Sequence, residues 1–181
     1  MFLDSIFSLI IILLLAFSLH KLCRLNASVT PFVAIMSVTA FVSLLSLVNM
    51  LGVSVLICYE LVALLFILAV KKSSDIKQDI ADFFTPGVIM FVIGCVFMFV
   101  ILWANQPVLY VWDEFSFWGT SQKLTKFHHA IYTYYDSSLI GKTTPPALDA
   151  LVYFFQPIGQ EYVEWKAFFG YDVMLLASFA A

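Results

Sequence analysis

Four apolar runs, each long enough to cross a bilayer, leave this chain little choice of fold. They read "FLDSIFSLIIILLLAFSL" from residue 2, "PFVAIMSVTAFVSLLSLVNML" over 31–51, "VSVLICYELVALLFILAV" over 53–70 and "PGVIMFVIGCVFMFVILWA" over 86–104. A helix rises about 1.5 Å per residue, so about 20 residues span a hydrocarbon core of about 30 Å. Inside hydrocarbon every backbone N–H and C=O must find its partner within the protein, which a helix does along its own length. A further apolar run, 163–181, reads as the start of a fifth transmembrane helix that the chain end interrupts. Pro31 and Pro86 stand where helices begin, a position at which a missing N–H costs nothing. Gly52 is expected to turn the chain between the second and third spans.

The first run reads as a retained span instead of a cleavable leader. It has no basic region ahead of it, Asp4 stands there instead, and "HKLCRLNAS" after it offers no small-residue cleavage pattern. Composition agrees with a membrane chain: 62% of the 181 residues are hydrophobic and 12% charged, against about 45–50% and about 25% in soluble domains. A net charge of −3 gives no electrostatic footprint for nucleic acid, so no nucleic-acid partner is expected. The three cysteines, Cys23, Cys58 and Cys95, all precede residue 104. They form no disulfide framework for the polar segment beyond it and read as small buried apolar residues.

Lysine and arginine set the orientation. Lys21 and Arg24 follow the first span, and Lys71, Lys72 and Lys77 follow the third, so those loops are expected in the cytoplasm. The segment from Asn105 to about Tyr162 then lies outside. "NAS" at 26–28 matches a glycosylation sequon but falls on the cytoplasmic side. The expected architecture is therefore all-α: a polytopic transmembrane helix bundle with four transmembrane helices over 1–104, an extracytoplasmic loop of amphipathic juxtamembrane helices over 105–162, and a fifth helix beginning over 163–181. Membrane lipid is its surrounding partner.

The outer segment is crowded with aromatic residues suited to the headgroup level. From Glu114 to His129 the apolar positions Phe115, Trp118, Leu124, Phe127 and Ile131 share one helical face, while Gln122, Lys123 and Lys126 fall elsewhere. This pattern predicts an amphipathic helix lying on the bilayer, with Asp113 and Glu114 at its N-terminal end, where the helix dipole favours acids. A second helix is expected to open at Pro145-Pro146 and run through "ALDALVYFF" to a turn at Pro157–Gly159. Two acids lie inside spans, Glu60 and Asp172. Such residues are functional candidates by default, through proton transfer, headgroup contact or interhelical hydrogen bonding, with Asn49 as a partner for Glu60.

An apolar span, then "WDE", an amphipathic helix, "GKTTPPALDALVYFF" and another span follow in order over about residues 100–181. This order resembles the first extracytoplasmic loop of the GT-C superfamily of membrane glycosyltransferases, which includes protein O-mannosyltransferases and aminoarabinose transferases. Asp113-Glu114 match the family's acidic pair, and Pro145-Pro146-Ala147-Leu148 approximate its second element. Lys142 precedes the prolines by three positions instead of adjoining them, and four spans precede the loop where the family has one.

The resemblance implies transfer of a sugar from a polyprenyl-phosphate donor to an acceptor hydroxyl or amine, with inversion, outside a bacterial cytoplasmic membrane. Asp113 would be the general base; Glu114 would orient the acceptor or help to hold a divalent cation. The departing phosphate needs positive charge or hydrogen-bond donors. Lys142 is the first candidate, with Lys123, Lys126, His128 and His129 as alternatives and Trp118 among the substrate-binding residues. No H-x-E or HExxH spacing occurs, so zinc chemistry is not expected, and no cofactor is assigned beyond that optional cation. A transporter or flippase of lipid-linked substrates using Glu60 and Asp172, and a non-catalytic membrane subunit, stay open as other classes.

Overall fold

The computed structural model describes residues 3–111, 118–131, 134, 146–159 and 161–181. Among them every regular element is helical. The long helices are α1 (Leu3–Cys23), α2 (Thr30–Ser46), α3 (Leu51–Lys71) and α5 (Pro86–Asn105). The shorter ones are α4 (Ile76–Phe83), α6 (Gly119–His128), α7 (Ala147–Phe155) and α8 (Glu164–Ala180). Four helices are long and apolar enough to cross a membrane: α1, α3, α5 and the stretch Ala27–Ser46, which joins a 3₁₀ turn to α2.

The helix starts carry their own chemistry. The Thr85 side chain accepts from the Val88 N–H, with Pro86 behind it, and Pro31 occupies the first turn of α2. Asn26 of the "NAS" stretch caps the 3₁₀ turn, its side chain accepting from Ser28 N–H at 3.0 Å. One expectation is corrected. Leu47–Met50 turn the chain between α2 and α3, with Asn49 at φ 59, and Gly52 lies inside α3. A Cβ on Gly52 would stand 3.4 Å from the His129 Cβ, so its smallness serves packing there.

The end of α1 bearing Lys21 and the segment after α3 bearing Lys72 meet at one end of the bundle. Lys21 Nζ lies 2.6 Å from Asp79 of α4, and the Ser28 and Thr85 hydroxyls are 2.9 Å apart. The Lys21 and Ser73 side chains both hold the Asp79 carboxyl below its usual range. Asp75 caps α4, while Phe83 packs edge-on against Phe17 of α1, with ring centres 5.5 Å apart. α8 runs antiparallel to α5, with Phe99 against Trp165 and Phe169 at 5.7 and 5.4 Å. Two buried hydroxyls inside the bundle return to their own helices: Ser18 to Leu14 O, and Ser54 to Leu51 O, each at 2.7 Å. That pairing is what an apolar interior demands of them.

The opposite end is closed by α6 and α7. Asp149 to Phe155 are all buried, packed against α1, α2, α6 and α8. A helix C-terminus buried this way leaves carbonyls without intrahelical donors. Ser5 Oγ donates to Phe155 O at 2.8 Å and Ser8 Oγ to Phe154 O at 2.7 Å. Lys126 Nζ donates to Gln156 O and, at 3.3 Å, to Ile158 O. A cation at this end also meets the negative pole of the α7 dipole.

Candidate functional site at the α7 end

Polar side chains from α6, α7 and α8 converge at this end. α6 turns its polar face inward: Ser121, Gln122, Thr125 and Lys126 are buried, whereas Trp118 and Phe127 are 51% and 67% exposed. An ordinary surface helix of a soluble domain does the reverse. The buried face makes specific pairs. Ser121 Oγ lies 3.1 Å from Asp149 Oδ1, as donor, and 3.0 Å from Trp118 O. The Gln122 amide bridges two tyrosines: Tyr162 Oη donates to its Oε1 at 2.6 Å, and its Nε2 donates to Tyr171 Oη.

Ionisable groups stand in and around this core. Lys123 Nζ lies 2.7 Å from Glu164 Oε1, and Glu164 Oε2 accepts from Leu109 N–H at 2.7 Å. Glu164 is in the first turn of α8, where an acid is favoured. Lys126 is 1% exposed and committed to the Gln156 and Ile158 carbonyls just past α7. Burial, with Lys166 adding repulsion and Asp4 opposing, brings its ammonium down to about 8. Asp149 is 6% exposed. Burial pushes its carboxyl up to about 7, against the lowering effect of the Ser121 hydrogen bond. A carboxyl that exchanges its proton near neutrality is the kind of group found at functional sites.

Beside Gln122 opens a cleft of about 120 Å³ lined by Leu109, Trp118, Phe168 and Tyr171 among others. On the far side of Lys126, His129 Nδ1 and Tyr153 Oη are 2.6 Å apart. Burial lowers the His129 pKa and raises that of Tyr153 to about 12.

The residues singled out from sequence fall into two groups. Asp113, Glu114 and Lys142 lie outside the described residues. Lys123, Lys126 and His128 stand on α6, and Trp118 is its N-cap residue. Trp118 borders the cleft, and Lys123 is paired with Glu164. Lys126 closes α7, and His128 is exposed, its ring 5.0 Å from that of Phe127. No group of three His, Cys, Asp or Glu suited to a metal ion occurs among the described residues. Sequence reading missed Asp149, Gln156, Tyr162, Glu164 and Lys166. The one available signal was a charge inside an apolar run, Asp149 in "ALDALVYFF" and Lys166 in "VEWKAFFGY". No family model, curated protein or solved structure matches this chain.

Proposed function

We propose that the chain is an integral membrane protein whose α7 end faces away from the cytoplasm. There it moves a sugar from a polyprenyl-phosphate donor to an extracytoplasmic acceptor. The single observation that carries this reading is the pairing of a buried polar network with an aromatic-lined cleft, at the end opposite the Lys21 and Lys72 loops. Aromatic and apolar walls suit an isoprenoid and the faces of a sugar. Trp118, which borders the cleft, directly follows the segment carrying Asp113 and Glu114 in the chain.

In this mechanism the acceptor hydroxyl or amine attacks the anomeric carbon while its proton passes to the Asp113 carboxylate. The bond from the anomeric carbon to the phosphate oxygen breaks, and polyprenyl phosphate leaves with the electron pair. Glu114 orients the acceptor, and Lys142 offsets charge on the departing phosphate. Asp149 is a positioning residue: through Ser121 it holds α6 against α7.

The test is transfer in proteoliposomes containing the full chain and a polyprenyl-phosphate sugar, with Asp113→Asn as the variant. Loss of a general base costs about 10²–10⁴-fold in rate. A wild-type rate in the Asn variant defeats the reading.

A further inference from the structure

Glu60 occupies an unusual place on α3. It is nine residues from Leu51 and eleven from Lys71, so it stands near the middle of the helix, about 14 Å from one end and about 16 Å from the other. The buried stripe of α3 is Leu51, Ser54, Val55, Cys58, Val62 and Ala69. At 100° per residue Glu60 projects nearly opposite that stripe, and it is exposed. Asn49 sits in the turn before α3, and Glu60 has no hydrogen-bond or ion-pair partner among the described residues.

A carboxyl group turned toward hydrocarbon at mid-bilayer is costly unless another group meets it. On either side of it along the helix lie Val53, Leu56, Ala63 and Ile67, all exposed. Together these five positions are spaced three and four residues apart, the seam spacing of paired helices. An apolar helix offers such a stripe in many directions; Glu60 selects this one. The neighbouring stripe through Ile57, Leu64 and Lys71 is less suited. Ile57 is half-buried against its own bundle, and two copies would oppose Lys71 to Lys71.

We propose that this stripe of α3 is where a second copy of the chain docks, with the two Glu60 carboxyls meeting at the interface. The proposal rests on the membrane reading above. Copies inserted by the same rule share one orientation, so a two-fold axis between them runs along the helices. Each α3 position then meets its own counterpart at equal depth. Self-pairing suits a neutral carboxyl, which both donates and accepts a hydrogen bond, and it would not suit a lysine. Within α1, α2, α3 and α5 the only lysines or arginines are Lys21 and Lys71, both near helix ends. The four spans therefore supply no cation at that depth, whereas a second Glu60 is available. Ala63, three residues on, lets the backbones approach.

The experiment is disulfide trapping of the full chain in membranes, in a background with Cys23, Cys58 and Cys95 replaced by Ser or Ala. Leu56→Cys, Ala63→Cys and Ile67→Cys are expected to form covalent dimers on oxidation, while Leu61→Cys and Leu65→Cys, which point away from the stripe, do not. Adding Glu60→Leu to Ala63→Cys is expected to lower the dimer yield about three- to twentyfold, the range an interhelical hydrogen bond gives in a bilayer; Glu60→Gln, whose amide also pairs with itself, retains it. Equal trapping at all five positions, insensitivity to Glu60→Leu, or a monomer throughout overturns the inference. So does trapping only to another protein. Alkaline carbonate extraction of the same membranes separates the two claims. Release of the chain defeats the membrane reading, whereas a retained monomer defeats the dimer alone.

Discussion

Lys166 Nζ lies 2.8 Å from both carboxylate oxygens of Asp4, a residue 162 positions earlier in the chain. Both side chains are 4% exposed. The pair ties the first turn of α1 to the first turn of α8 at the α7 end, beside Lys126, whose charge feels both partners. A buried ion pair adds little over well-packed apolar residues, but either partner left alone is expensive. Lys166→Met or Asp4→Leu is therefore expected to destabilise the fold by about 3–5 kcal/mol. The double variant should recover most of that loss in a thermal-unfolding measurement in detergent.

Lys126→Met tests the closure of α7. It strands the buried Gln156 carbonyl, at a cost of about 1–3 kcal/mol. The charge itself works against the fold, since burial lowers the folded pKa to about 8 from 10.5. The unfolded chain then holds more protons between those values, so this group's penalty is full below pH 8 and fades toward pH 10.5. Wild-type protein should gain stability over that interval relative to Lys126→Met, as read from melting temperature against pH.

Asp149 behaves in the opposite sense. Its folded pKa of about 7 exceeds the ordinary 3.8, so the folded state holds the extra proton between those values. Stability from this group is full below about pH 4 and is lost as pH rises through 7. The shift corresponds to about 4 kcal/mol. Asp149→Asn keeps an acceptor for Ser121 and removes the ionisation. Its melting temperature should match wild type at pH 4 and exceed it at pH 8.

Gly170 of α8 faces Phe155 of α7. An added Cβ would lie 3.0 Å from the ring edge, and that ring packs edge-on against Phe169 and Phe154. Gly170→Val is expected to cost about 1–3 kcal/mol through overpacking. A wild-type melting temperature in that variant contradicts the tight α7–α8 contact.

Much of the backbone plan can be read from the chain because its determinants are local. Span length, Pro31 and Pro86 at helix starts, and Pro146 before "ALDALVYFF" each act within a few residues of where they stand. The packing at the α7 end is not local. Asp4 reaches Lys166, Ser8 reaches Phe154 and Gln122 reaches Tyr171 across 162, 146 and 49 positions, and spacing carries no trace of such pairings. Periodicity also marks two faces of α6 without saying which one turns inward. The bundle end decided that by offering the α7 carbonyls and Asp149 as partners for the polar face. At the turn after α2, Gly52 drew attention for its freedom, yet Asn49 adopts the left-handed backbone.

The proposed orientation turns the polar network around Asp149 away from the cytoplasm. Its most direct test is labelling of intact cells with a membrane-impermeant maleimide, using Ile158→Cys at the α7 end and Lys77→Cys at the other, in a Cys23→Ser background. Both positions are exposed. Ile158→Cys is expected to label in intact cells and Lys77→Cys only after permeabilisation. The reverse pattern contradicts that orientation.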